Sequence, residues 1–173
     1  MNHPVFLNNQ KMTVDAKLRV GIPERFVKVL KQICPDHPNE IGISATPDRS
    51  IKLTPYTLFA EDLDRWSKLD DQVTDERTIL NLTTSFADLL TMDKQNRIRL
   101  SPELCSFCNI SREVIVVGTI KYMQIFDLKT WNTMMQEGIK KLSEATDAVA
   151  TRAAAPQPVN LIVQAEGKEK ANA

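Results

Sequence analysis

Apolar and polar positions along this chain switch between a two-residue and a 3.6-residue period, and the whole progression occurs twice. Residues 5–14 alternate, with Asn8, Gln10, Met12 and Val14 on one face, which predicts a strand of mixed polarity. A tight loop at Asp15–Leu18 and a short return strand at Arg19–Ile22 follow. Pro23 suits the first turn of a helix, where its missing N–H costs nothing, and Phe26, Val29, Leu30 and Ile33 then keep helical spacing. The segment Cys34–Asn39, with Pro35 and Pro38, stops that helix. Ile41, Ile43 and Ala45 alternate as in a half-buried strand, Pro47–Ser50 reads as a turn, and Ile51–Leu53 opens the partner strand. Beyond Pro55, Phe59, Leu63 and Trp66 fit a helix, and residues 74–85 predict another with Thr74 as its N-cap.

The pattern then restarts. A strand at 86–92, a loop at Asp93–Asn96 and a return strand at Arg97–Leu100 lead to a helix with Ser101 as N-cap and Pro102 at its first position. Leu104, Phe107 and Cys108 are its inward residues. Val114–Val117 reads as a buried strand and Tyr122–Phe126 as its partner, and Asp127 caps a final helix carrying Leu128, Trp131 and Met135. The copies align at an offset of 78 through the loops (15→93, 19→97) and of 72 at the end (53→125, 59→131). The first copy therefore has the longer middle connection, around Pro35–Asn39. Two units are too few for a solenoid and suit two small β-rich modules sharing one core. From about residue 145 the chain is rich in Ala, with Pro156 and Pro158, and reads as a flexible tail whose one apolar patch is Val159–Val163. The expected organisation is a first module at 5–60, a helical connection at 61–84, a second module at 85–142 and the tail at 143–173.

Composition changes this picture little. The 173 residues carry 22 basic and 22 acidic side chains, so the net charge is zero, whereas a generic nucleic-acid binder is usually basic. The charge is unevenly placed: residues 1–31 hold a net +4, and residues 61–76 a net −5. A local basic face can bind phosphate on an otherwise acidic molecule. The apolar runs are only a few residues long, so neither a transmembrane span nor a secretory leader is expected. Three cysteines make no disulfide framework and suit a reducing cytoplasm.

No catalytic constellation is visible, and an enzyme is not expected. Asp15 and Asp93 lie in separate copies with no nearby His or nucleophile, and read as turn formers that bond their own backbone. The five glycines form no phosphate-binding pattern. Cys105 and Cys108 form a CxxC, but zinc needs four ligands and only Cys34, His37 and His3 could complete the set. Cys108 aligns with Leu30, so it reads as a core position. No metal, cofactor or small-molecule ligand is expected.

A duplicated turn-and-arginine unit suits a repeated or two-fold-related target, and DNA is the obvious one. Arg19 and Arg97 each open a return strand, where a guanidinium could reach a guanine edge or phosphate. The residues alone leave a second possibility open, that each Arg pairs with its loop Asp and only fixes the turn. Lys11, Lys17, Lys28, Lys94 and Arg99 are the candidate phosphate contacts.

Asp15-Ala16-Lys17-Leu18-Arg19 with Ile22-Pro23, then Asp93-Lys94-Gln95-Asn96-Arg97 with Leu100, resembles the doubled motif of the MraZ family of bacterial transcriptional regulators. Val114–Gly118 and Ile125–Trp131 are similar to that family's closing segment, and the likeness covers roughly residues 5–142. The resemblance implies an α+β fold of two swapped-hairpin SpoVT/AbrB-like modules with short helices. It implies a cytoplasmic, nucleoid-associated repressor that binds repeated double-stranded DNA sites near the cell-division and cell-wall genes. It also implies a ring-like homo-oligomer. Together with the repeat it favours DNA contact by Arg19; Arg97 reads as the more structural of the two, because its module is less basic nearby. The family glycine of each loop is replaced, by Leu18 in one copy and Asn96 in the other. A hairpin loop of this type wants positive φ there, which Asn tolerates and Leu does not, so the first loop is either reshaped or strained by roughly 1–2 kcal/mol. The family's helix arginine falls near Val27 and Lys28 in one copy and at Cys105 in the other, and Phe59 replaces a Trp. The neutral charge and Leu18 leave a rival reading, an oligomeric scaffold that keeps the duplicated fold without binding DNA.

Overall fold

The computed structural model describes residues 4–154. The chain divides into two units, Met1–Met134 and Met135–Ala173. The first is an α+β unit with eight strands. In order they are β1 (Asn9–Thr13), β2 (Arg19–Gly21), α1 (Glu24–Ile33), β3 (Glu40–Ala45), β4 (Ile51–Pro55), α2 (Tyr56–Trp66), α3 (Thr74–Ser85), β5 (Asp88–Thr91), β6 (Arg97–Arg99), α4 (Pro102–Phe107), β7 (Glu113–Gly118) and β8 (Met123–Asp127). A last helix, α5 (Leu128–Ala154), supplies the described part of the second unit, where Ile139 and Leu142 are exposed. It runs through residues 143–154 of the segment expected as a tail. The rest of that segment, with Val159–Val163, lies outside the described residues.

The two copies do not fold side by side. They exchange strands. One antiparallel sheet has the order β1-β7-β8-β4-β3-β5, and a separate ribbon pairs β2 with β6. The opening strand of each copy therefore pairs with the third strand of the other: β1 with β7, and β5 with β3. The registers show a pseudo-two-fold axis. In the ribbon Val20 faces Ile98, its own counterpart at the offset of 78. In the sheet Lys52 faces Gln124, its own counterpart at the offset of 72.

One core lies between these layers and draws on both copies. Val20, Ile22, Phe26, Leu30, Ile98, Leu100, Leu104 and Cys108 meet Ile41, Ile51, Leu53, Val114, Met123 and Ile125 in a single cluster. Val20 and Ile98 are 0% and 1% exposed, and burial of each contributes roughly 1.5–3 kcal/mol. β3 is buried on both faces rather than alternating, because Ile41, Ile43 and Ala45 join the core while α2 lies over the opposite face at Gly42. That close approach needs Gly42, where a Cβ would sit 2.1 Å from the Phe59 ring.

The local caps follow the chemistry of single residues. The Ser101 side chain accepts from the Leu104 N–H with Pro102 at the first helical position, and Asp127 accepts from the backbone of Lys129 and Thr130. Three local expectations need correction. Thr74 is the first helical residue of α3 and Val73 its N-cap, so no side chain caps that end. Leu63 is 46% exposed, and Asp62 takes the buried position because Lys52 and Arg65 satisfy its carboxylate. On α1, Val27 is buried more deeply than Val29 or Ile33.

Candidate nucleic-acid interface

Each loop is built around its aspartate. The Asp15 carboxylate accepts from the backbone N–H of Lys17 and of Arg19, both at 2.9 Å, and from Arg19 Nε at 2.8 Å. Asp93 repeats this with the N–H groups of Gln95 and Arg97 at 2.8 and 3.0 Å and Arg97 Nε at 2.9 Å. The backbone closes identically, Leu18 N donating to Asp15 O and Asn96 N to Asp93 O, each at 2.9 Å. Leu18 and Asn96 both sit in the left-handed region, at φ 57° and 56°. The first loop is therefore not reshaped. Leu18 carries the conformation, and its side chain packs against the core, which offsets the strain.

These arginines are shared between turn and surface. Arg19 and Asp15 form an ion pair at 2.7 Å, as do Arg97 and Asp93. The Arg19 hydrogen bond holds the Asp15 carboxyl down at about 2, and Arg97 likewise lowers Asp93. Both carboxylates thus stay ionised at neutral pH and keep each guanidinium in one orientation.

The ribbon then sets the spacing. Arg19 faces Arg99, and Gly21 faces Arg97. Residues two apart share a strand face, so Arg19, Arg97 and Arg99 lie on one side of β2–β6 while Val20 and Ile98 fill the core on the other. Like charges directly opposite destabilise a sheet. Asp15 and Asp93 relieve Arg19 and Arg97, but among the described residues Arg99 has no acidic partner. Its place in the fold gathers charge at one end: Arg19, Arg99 and the exposed Lys17 meet at the first loop, whereas Arg97 and the exposed Lys94 mark the second, opposite Gly21.

Two of the candidates stand apart from the ribbon. Lys28 projects from α1 and pairs with Glu24 at 3.1 Å. Lys11 is exposed on β1, opposite Ile115. The cysteines are core residues: Cys105 and Cys108 are 7% and 1% exposed, and burial pushes the Cys108 thiol up to about 12.

Residues 85–153 match the family described as "MraZ protein, putative antitoxin-like". The chain is also 25% identical over 143 residues to the transcriptional regulator MraZ of Mycobacterium leprae, covering 83% of this chain and 95% of that protein. It is 25% identical over 142 residues to that of Pelodictyon phaeoclathratiforme (80% and 93%), and 23% identical over 135 residues to that of Nitrosospira multiformis (78% and 90%). The chain is thus similar to MraZ proteins over most of its length. The family match begins at the end of α3 and takes in β5 through most of α5. An alignment of 143 residues is longer than that half can supply, so the likeness to the MraZ relatives takes in both copies.

The sequence located both loops and every arginine of the ribbon, but not the cross-copy pairing that brings Arg99 to Arg19. Nor did it single out Arg112 and Lys129, which the β1–β7 pairing and the start of α5 set beside the first loop. The backbone pairing sets Asn39 in the place of Arg112, and the offset of 72 sets Thr57 in the place of Lys129, so neither cation is repeated.

Proposed function

We propose that this chain is a sequence-specific, DNA-binding transcriptional regulator, acting as a repressor at repeated sites near the cell-division and cell-wall genes. The observation that carries this reading is the ribbon β2–β6, a two-stranded element with Arg19, Arg97 and Arg99 on one face. A β-ribbon of this kind can enter a groove, where an aligned guanidinium reads a guanine edge and neighbouring lysines hold phosphate. Asp15 and Asp93 fix the arginine geometry before binding, which lowers the ordering cost on contact. Lys17, Lys94 and Lys11 would track phosphate, and Lys28 would join them by leaving Glu24.

The reading extends to two interlocked modules, at 5–60 and 85–142, joined by 61–84. It also includes a homo-oligomer, ring-like by family resemblance, working on the nucleoid in the cytoplasm. One unit grips weakly, and oligomerisation multiplies the grip across repeated half-sites through effective concentration. The name of the relatives, transcriptional regulator, supports the general role.

The test is binding to duplex DNA from upstream of the protein's own gene. Affinity should fall steeply as salt rises and exceed that for scrambled duplex. Arg19→Ala should weaken it, and unchanged binding would show the site assignment to be wrong. Flat, sequence-blind or absent binding would favour the scaffold reading, which the occupied Arg–Asp pairs support.

A further inference from the structure

The pairing of β1 with β7 sets a second stretch of chain beside the first loop. A groove of about 670 Å³ is lined by Asp15, Ala16 and Leu18 of that loop and by Ile110, Ser111 and Arg112 of the segment leading into β7. It shares Thr13, Ser111 and Arg112 with a neighbouring groove of about 440 Å³, whose other walls are Glu113 and Lys129. Arg112 and Lys129 are exposed, and neither has an acidic partner among the described residues.

Building the same position in the other copy shows how one-sided this is. Val14 N donates to Arg112 O at 2.9 Å, and its counterpart Met92 N donates to Asn39 O at 2.8 Å, so Asn39 stands where Arg112 would be. At the offset of 72, Lys129 corresponds to Thr57. Around the first loop, Lys17, Arg19, Arg99, Arg112 and Lys129 outnumber the carboxylates Asp15, Glu113 and Asp127, the last bonded to Ser111, by five to three. Around the second, Lys94 and Arg97 only balance Asp93 and Glu40. The excess is local to one end of a chain whose net charge is zero.

We propose that Arg112 and Lys129 form a phosphate track beside the first loop, holding the DNA backbone while the ribbon arginines address the groove. This rests on the DNA-binding reading above. Both cations are terminal groups on a wall that also offers the Thr13 hydroxyl, and the track needs no movement of the core. They act without regard to sequence, because phosphate contacts position a protein and carry no base information. The strained loop with Leu18 is thereby the anchored end of the molecule on DNA, and the second loop the lighter one.

The experiment measures affinity of the full chain for its upstream duplex and for a scrambled duplex across a salt series. The double variant Arg112→Ala/Lys129→Ala is compared with Lys31→Ala/Lys121→Ala, which removes the same charge elsewhere. The track variant should weaken binding to both duplexes alike and reduce the slope of log affinity against log salt by about 1.8, at about 0.9 per lost phosphate contact. The control should keep the wild-type slope, and Arg112→Lys/Lys129→Arg should restore it. An equal slope for track variant and control overturns the proposal while leaving the DNA reading intact. Absence of salt-dependent binding by the wild type overturns both. Circular dichroism of each variant establishes that the fold is unchanged, as expected for exposed side chains.

Discussion

Arg19 and Arg99 face each other across β2 and β6, although one belongs to the first copy and the other to the second. Among the described residues, only Arg19 of the two has an aspartate to hold it. The pair therefore combines a fixed guanidinium with a free one at a single end of the ribbon.

This asymmetry predicts unequal losses. Arg99→Ala should weaken binding to the upstream duplex by about 1–3 kcal/mol, as for a direct DNA contact. Arg97→Ala, opposite Gly21 and beside the less basic loop, should cost less binding and more stability, since Asp93 loses its partner. Titrations of both variants, each with a urea melt, separate the two effects. Equal binding losses would remove the distinction.

The loop backbone makes a second prediction. Asn96→Gly keeps φ near 56° without steric cost and should leave stability within about 0.5 kcal/mol, whereas Asn96→Ala should cost about 1 kcal/mol. Leu18→Ala keeps the left-handed penalty and loses the side chain packed on the core, so it should cost more than Asn96→Ala. Urea denaturation midpoints give the order directly.

Acid should loosen the loops in a defined window. The folded-state pKa of Asp15 lies below its ordinary value of 3.8, at about 2, chiefly because of the Arg19 hydrogen bond. A depressed carboxylate stabilises the fold fully above the unfolded value, and its contribution fades as pH falls from about 4 towards 2. Asp93 acts in the same direction, and so does Asp127. Burial pushes Asp127 up, but the Ser111 hydrogen bonds and the α5 N–H groups outweigh it. Asp15→Asn should flatten the acid limb of a stability–pH profile, and an unchanged limb would count against the ion pair's contribution.

The pseudo-axis offers a packing test. Ile98→Ala removes a side chain that is 1% exposed and should cost about 2–5 kcal/mol, and Ile98→Val about 0.5–1.5 kcal/mol. Val20→Ala combined with Ile98→Ala should depart from additivity, because the two residues are register partners.

Buried thiols give a last prediction. Cys108 is 1% exposed, with its thiol held up at about 12 by desolvation. A disulfide-exchange reagent at neutral pH should label Cys105 and Cys108 only after denaturant is added. Rapid labelling of the native protein would contradict their burial.

What the sequence made legible is mostly local. The Asp-to-Arg loops, the Ser101 and Asp127 caps and the C-terminal end of α3 depend on neighbours within a few residues, and each appears at its expected position. Leu63 and Asp62 exchanged places because a lysine from β4 reaches the carboxylate, a contact that helical periodicity does not contain. Strand pairing is the larger gap. An alternating segment shows which face is apolar but not which strand it joins, so β1 could not be assigned to β7 from its own residues. The placement of Arg99 beside Arg19 follows from pairing, as does that of Arg112 beside the first loop, and so both were invisible as well.

The exchange of strands has a consequence for how the molecule is made and maintained. A lone copy would leave β1 and β2 without their strand partners and one edge of β3 open, and would need a second chain to supply them. Here the second chain is tethered to the first, so the fold survives dilution that would separate a dimer of single copies. During synthesis the first half must wait for β5 to β8 before its sheet can close. The tether also frees the halves from identity. A symmetric pair must carry the same residue at both loops and both ends of the ribbon. This chain holds Leu18 with Asn96, and Gly21 with Arg99.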